Sequence, residues 1–204
     1  MAAIIAISGF QNLPNLNYLR LDGPNNGCET IDVSGCTSLT YLDVSDMDIP
    51  DTDTPSLKYL NVEGCTALVN LYMDDSDFSE GFPDLSSATA LQYFDADQCG
   101  ITESLDLTAF TELRGFDLNY NEGLTSVTIS SSSQSLGYER SLYLDGCALT
   151  QTAVDNMLVA LSEGTVENGY VDLSSGNNAA PGTLGLAAKA TLELSGWTVS
   201  VNIE

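Results

Sequence analysis

Carboxylates dominate the reactive side chains of this 204-residue sequence: 29 Asp and Glu stand against 5 Lys and Arg, with no His and 5 Cys. A carboxylate pair held about 5–9 Å apart can carry out glycosidic acid–base chemistry, and a cluster offers hard oxygen ligands to calcium. Asp46 to Asp53 and Asp74-Asp75-Ser76-Asp77 are dense enough to raise the calcium question. Neither fits the EF-hand loop, which wants Gly at its sixth position and Glu at its twelfth, so a solvated acidic face is the competing reading and no metal ligand is assigned. Without His, a Ser-His-Asp triad, a Cys-His pair and the common zinc sites are impossible. Cys28, Cys36, Cys65, Cys99 and Cys147 form no CxxC pair or zinc-ligand spacing, and their odd number argues against a disulfide framework. No cleft or shifted pKa is visible for any carboxylate pair, so no catalytic residue, metal or cofactor is expected.

The charge balance excludes further classes. At a net charge of −24 and a pI near 4.1, Arg20, Lys58, Arg114, Arg140 and Lys189 are too scattered to neutralise phosphates, which argues against nucleic acid and against anionic membrane surfaces. No run approaches the ~18 apolar residues of a membrane span, so membrane insertion is not expected. Met1 to Ile7 is apolar but has no basic flank or cleavage site, and no export signal is expected in it. The 43% apolar content suffices for a core.

The elements that must position these side chains come from an internal repeat. An apolar–polar–apolar triplet, preceded three positions earlier by another apolar residue, recurs at Leu16/Leu19/Leu21, Leu39/Leu42/Val44, Leu57/Leu60/Val62, Leu68/Leu71/Met73, Leu91/Phe94/Ala96, Leu113/Phe116/Leu118 and Leu124/Val127/Ile129. Ile31-Asp-Val33 and Leu105-Asp-Leu107 share the strand part, and Asp84-Leu85-Ser86 is a weaker match. Period-2 alternation predicts short strands with one buried face. Sorted alternately, the strands form one register led by Leu19, Leu42, Leu71, Phe94, Phe116 and Leu142, and another led by Ile5, Ile31, Leu60, Pro83, Leu105 and Val127. Most steps are 22 or 23 residues; the jump of 29 spans Met47 to Pro55 and predicts an inserted surface loop.

With this phrase, residues 4 to 149 resemble bacterial leucine-rich repeats built on a nested ten-or-eleven-residue unit. The resemblance implies a scaffold with strands on both walls and no particular function. It also implies that Cys36, Cys65, Cys99 and Cys147 fill the turn position usually held by Asn or Cys, bonded to turn backbone and inert. The fold class expected is α/β, mostly β: a leucine-rich-repeat solenoid with parallel strands on two walls and two helices near the C-terminus, forming a single domain over 1–204. Two-strand coils occupy 4–149 and strand–helix repeats 150–204. There, Gln151 to Glu163 reads as a helix with Thr152 and Asp155 as its capping box, Tyr170 to Leu173 as a strand, Thr183 to Ser195 as a helix and Trp197 to Val201 as a strand. Asn177 to Pro181, Gly185 to Ala190 and Gly196 to Val199 resemble the ending of repeat proteins of tailed phages and some Bacteroidetes-like surface proteins.

Outward positions follow from the alternation. The first wall carries six of the nine Tyr and is the expected partner-binding face: Tyr18, Tyr41, Asp43, Tyr72, Asp74, Tyr93, Asp95, Asp97, Asp117, Tyr143, Asp145, Tyr170 and Asp172. The second wall is mostly Ser and Thr. Tyr offers rigid contact area with a polar tip, suiting a cationic protein patch, a carbohydrate or a calcium-bridged ligand. Tyr is also a good strand former, and Asp a solubilising residue, so the asymmetry has an incidental reading. Since the strand phrase starts almost at once, Ile4, Ile5, Ile7 and Phe10 are expected to form an uncovered docking edge for another virion protein or a second copy. The function expected is non-enzymatic: a phage virion surface component, decoration or fibre-associated. The alternatives are a bacterial surface or secreted adhesion module, and an intracellular regulatory repeat protein.

Overall fold

Apolar alternation over three or four residues can bury a face only if the next coil supplies the matching strand, and that pairing organises the whole computed structural model. It describes residues 6–23, 28–49, 54–55, 57–102, 104–130 and 141–203. The chain divides into two compact units, Met1–Ile101 and Thr102–Glu204.

The first unit contains β1 (Ala6–Ile7), β2 (Tyr18–Arg20), β3 (Thr30–Asp32), β4 (Tyr41–Asp43), β5 (Asp48–Ile49), β6 (Thr54–Pro55), β7 (Tyr59–Asn61), β8 (Asn70–Tyr72) and β9 (Tyr93–Asp95). Apart from β5 and β6, these form two parallel ladders, ordered β2-β4-β8-β9 and β1-β3-β7. Leu19, Leu42, Leu71 and Phe94 pair in sequence along the first ladder, and Ile31 pairs with Leu60 in the second, as the spacing predicts. The inserted loop folds back as an antiparallel ribbon of β5 on β6.

Two assignments shift. The second ladder pairs Ile7, not Ile5, with Ile31. Ile5 lies outside the described residues, and a two-residue slip keeps the same face inward because side chains alternate with period two. Pro83 leads no strand: proline has no N–H to give a ladder, and the adjacent Asp84 accepts the Ser86 N–H at 2.9 Å in a tight turn instead.

The second unit contains β10 (Leu105–Asp106), β11 (Gly115–Asp117), β12 (Val127–Thr128), β13 (Leu142–Tyr143), α1 (Gln151–Ser162), β14 (Tyr170–Leu173), α2 (Thr183–Leu194) and β15 (Thr198–Val201). The strands β11-β13-β14-β15 make one parallel ladder and β10-β12 the other. From α1 onward a helix takes the return path that a second-wall strand takes earlier. Apolar residues at i, i+3 and i+4 bury Val154, Met157, Leu158 and Leu161 of α1. Its N-cap is Thr150, whose hydroxyl accepts from Ala153 N–H at 3.2 Å. Thr152 is therefore not the cap, and Asp155 reaches across to accept from Gly182 N–H at 2.8 Å.

The inward positions of successive coils form the cores. In the first unit Leu39, Leu42, Val44, Leu68, Leu71, Met73, Leu91, Phe94 and Ala96 are fully buried, and in the second Phe116, Leu118, Leu142, Leu144, Val171 and Leu173. All five Cys are buried free thiols. Cys65, Cys99 and Cys147 donate to Val33, Met73 and Leu118 carbonyls, each one coil back, at 3.1–3.2 Å. Burial pushes the Cys65 thiol up to about 11, so it stays protonated. Asn178 does more with an amide: it donates to Leu144 and Leu173 carbonyls at 2.7 and 3.2 Å, and accepts from Leu149 N–H at 2.8 Å.

Leu71→Ala should cost about 2–5 kcal/mol in denaturant unfolding, because the stacked coils cannot close over the cavity. Asn178→Ala should cost at least about 2 kcal/mol by stranding buried backbone groups. A loss below 0.5 kcal/mol in either would contradict the packing described.

Candidate functional site

Each strand of the first wall offers three outward positions, one opening the strand, one closing it and one just past it. In the first unit the opening row is Tyr18, Tyr41, Asn70 and Tyr93; the closing row is Arg20, Asp43, Tyr72 and Asp95. The row past the strand is Asp22, Ser45, Asp74 and Asp97.

Many Asp of the closing rows have a structural duty that sequence reading assigned to display. A carboxylate there accepts the N–H two residues on and starts the turn: Asp43 from Ser45, Asp95 from Asp97, Asp117 from Asn119 and Asp172 from Ser174, at 3.0–3.4 Å. Asp32 and Asp106 do the same on the second wall, at 2.9 Å. The turn then needs one left-handed residue. Asp46, Asp75, Gln98, Tyr120 and Ser175 supply it with φ of 53–55°, and Gly35 and Gly64 supply it on the second wall with φ of 74° and 76°. Hydroxyls reinforce the motif: Ser45 and Ser174 Oγ donate to the Asp43 and Asp172 carboxylates at 2.7 and 2.6 Å.

The tyrosines meet across the strands. Tyr18 and Tyr41 stack with centroids 4.5 Å apart and planes 9° from parallel. Tyr41–Tyr72 and Tyr72–Tyr93 follow at 5.4 and 5.6 Å, tilted. Four rings from four coils thus form one aromatic strip, spaced by the strand separation. Tyr41 Oη donates to Asp43 at 3.3 Å and Tyr93 Oη to Asp95 at 3.5 Å. Burial first, and then the Asp43 charge, pushes the Tyr41 phenol up to about 12, so it remains a donor. Asp43 itself is only 6% exposed, covered rather than displayed.

Arg20, in sequence only one of five scattered cations, closes β2 on the outward face. Its Nε and Nη2 grip both oxygens of Asp22 at 2.5 and 2.6 Å, and Nε lies 3.3 Å from Asp43 Oδ2. The Arg20 guanidinium holds the Asp22 carboxyl below the usual carboxylate range.

Two acidic runs that the sequence keeps apart are brought together: one oxygen from each of Asp46, Asp74 and Asp75 lies within 4.8 Å of the others. These three are the described residues able to offer a cation a shared set of oxygens. Burial, then Asp95, and then Asp46 and Asp75 push the Asp74 carboxyl up to about 7.

The second unit carries the remaining site residues. Tyr143 and Tyr170 pack at 5.6 Å, Tyr170 Oη donates to Asp172 at 3.2 Å, and Ser175 Oγ donates to Asp145. Asp117 sits at the strand end as a turn acceptor. Of the expected docking edge, Ile4 and Ile5 lie outside the described residues. Ile7 and Phe10 are half-buried, and β1, which contains Ile7, is the edge strand of its ladder.

No family model matches the chain, and no curated protein matches it. Among solved structures, an internalin from Listeria monocytogenes is similar at 18% identity over 96% of this chain and 69% of that one, with a TM-score of 0.35. The repeat assignment rests on the strands and ladders themselves.

Asp74 gives the site a pH signature. Its folded pKa lies above its unfolded value, so between about 4 and 7 the folded state holds a proton that the unfolded state has released. Stability contributed by this group is therefore present at low pH and lost as pH rises through 7. Asp74→Asn should raise the thermal midpoint relative to the parent at pH 8 and leave it unchanged at pH 4. Parallel pH curves for the two proteins would refute this.

Proposed function

We propose that the chain is a non-catalytic binding protein that recognises its partner through the Tyr and Asp residues of the first wall. The four-ring strip from Tyr18 to Tyr93 is the observation that carries this reading. Aromatic rings that hold one another in place present contact area at low entropic cost, and flanking carboxylates add directional acceptors.

In this reading the protein sits on the surface of a tailed-phage particle as a decoration or fibre-associated component, as the resemblance of its C-terminal stretch implies. The Ile7 and Phe10 edge docks onto a neighbouring virion protein or a second copy, since an edge strand offers unpaired backbone groups. A bacterial surface or secreted adhesion module is the second reading, and it uses the same wall.

Tyr93→Ser and Tyr143→Ser, checked for native circular dichroism, should weaken binding to a basic-peptide array or a glycan array by at least about tenfold. Undiminished binding would remove the wall as the recognition face. Antibody fractionation should recover the protein with intact virions; recovery only in envelope or secreted fractions would favour the adhesion module. Phe10→Asp should convert any assembly seen by sedimentation to monomer, and a monomeric parent would exclude self-docking.

A further inference from the structure

The carboxylates of this chain avoid two places. All of the 29 Asp and Glu except Glu193 and Glu204 fall between Asp22 and Asp172. Residues 6–21 therefore hold no acid, and in α2 Glu193 is paired with Lys189. Both places expose apolar side chains instead. Leu13 is 51% exposed ahead of β2, and Leu194 and Ile203, on either side of β15, are 90% and 92% exposed. α2 exposes Leu184 and Leu186 as well, while it buries Gly185, Ala188 and Leu192 on its other face. A helix that is apolar on two faces needs a partner for each, whereas α1 turns Gln151, Thr152 and Asn156 to solvent. Beside β15, Pro181, Leu186, Val201 and Ile203 line a groove of about 620 Å³. β2 and β15 are also the edge strands of their ladders. Asn17 C=O accepts from Tyr41 N–H and Leu21 N–H donates to Asp43 C=O, so the alternation turns the N–H and C=O of Tyr18 and Arg20 away from β4. Thr198 N–H donates to Gly169 C=O, so Val199 and Val201 turn theirs away from β14, and there Lys189 Nζ donates to Val199 C=O at 3.2 Å.

We propose that β15 and α2 receive the β2 edge of a second copy of this chain, which continues the parallel ladder with Leu19 of the incoming copy beside Val199. This rests on the reading that the Ile7 and Phe10 edge docks onto a second copy, and it names the surface that receives it. Charge favours a like copy at this place. Two chains of net charge −24 repel, and they meet at least cost where no carboxylate loses its water. The edges of β2 and β15 meet that condition, and Arg20, the one charge on the incoming edge, is opposite in sign to the body it approaches. Shape favours it too, because a parallel edge strand with inward apolar residues is what a coil of this repeat packs against. In that register the exposed leucines fall on the same side, since Leu194 stands four residues before β15 and Leu13 five before β2. Val199 C=O keeps a second lone pair for an incoming N–H beside the one that Lys189 takes. The two surfaces differ, so the contact is heterologous: each added copy presents a fresh edge, and association passes beyond the dimer.

The test is sedimentation velocity on the full chain over a concentration series. Masses should rise through the dimer to larger species, and rise further with added salt as the repulsion between the acidic bodies is screened. Leu194→Asp with Ile203→Asp on the receiving side, or Leu13→Asp on the incoming side, should each weaken association at least about tenfold. All three side chains are exposed, so native circular dichroism is expected of both variants and checked. Mixing the two variants leaves one intact pair of surfaces and should give a one-to-one dimer that grows no further. Tyr93→Ser, on the first wall, should assemble as the parent does. A parent that stays monomeric or stops at two copies, assembly that depends on Tyr93, or variants that do not complement each other overturns the proposal. If Leu13→Asp abolishes assembly and the Leu194 and Ile203 variant does not, the receiving surface is overturned and docking through the β2 edge stands.

Discussion

Everything in this protein follows from the fact that one coil cannot bury its own apolar face. A three-residue strand has too few contacts to be stable alone, and its backbone N–H and C=O groups find partners only on the coil before and the coil after. That requirement selects the inward residues, such as Leu42, Leu71 and Phe94, which align in register and are fully buried. It also selects the turns. Each strand must stop after three residues and turn, and Asp at the strand end with a left-handed residue three positions later in the chain does this repeatedly. Much of the acidic composition is thus tied to backbone turns rather than only to solvation.

The same stacking dictates the chemistry of the outer face. Parallel strands lie about 4.8 Å apart, so side chains at matching positions in successive coils are held at that spacing whatever their preferences. For tyrosines the spacing suits ring contact, and Tyr18 and Tyr41 stack almost face to face. Among the carboxylates, burial first and then the charge repulsion of Asp95 push the Asp74 carboxyl up, so it holds its proton more tightly. Where a cation enters the row, as Arg20 does, the repulsion becomes an attraction and the neighbouring Asp22 becomes easier to ionise. One lattice of positions therefore yields an aromatic strip, an acidic cluster and an ion-pair clamp, according to which residue occupies each place.

The two ends of the described chain show how a ladder changes character. Leu16 and Leu19 are only half-buried where Leu39 and Leu42 are fully so, because β2 is the edge strand of its ladder. In the second unit the return path changes from strand to helix, with Thr150 capping α1 and Asp155 joining it to the start of α2. Longer steps between strands permit this, since a helix spends more residues than an extended strand in crossing the same distance.

The sequence by itself determined the inward set, most of the two alternating registers, the place of the inserted loop and both helices. These follow from local periodicity, and a period of two residues or 3.6 residues is written directly in the order of side chains. It also placed Tyr and Asp on one outward face. Tertiary structure decided what that face consists of. Ile7 rather than Ile5 meets Ile31 because register depends on the partner coil; Pro83 leaves its coil without a second-wall strand; and Asp43 turns out to be covered by its neighbours. The meeting of Asp46 with Asp74 and Asp75, and the grip of Asp22 and Asp43 on Arg20, join residues whose relation depends on stacking and on side-chain direction. Periodicity tells which way a side chain points, but only the neighbouring coil tells what it meets.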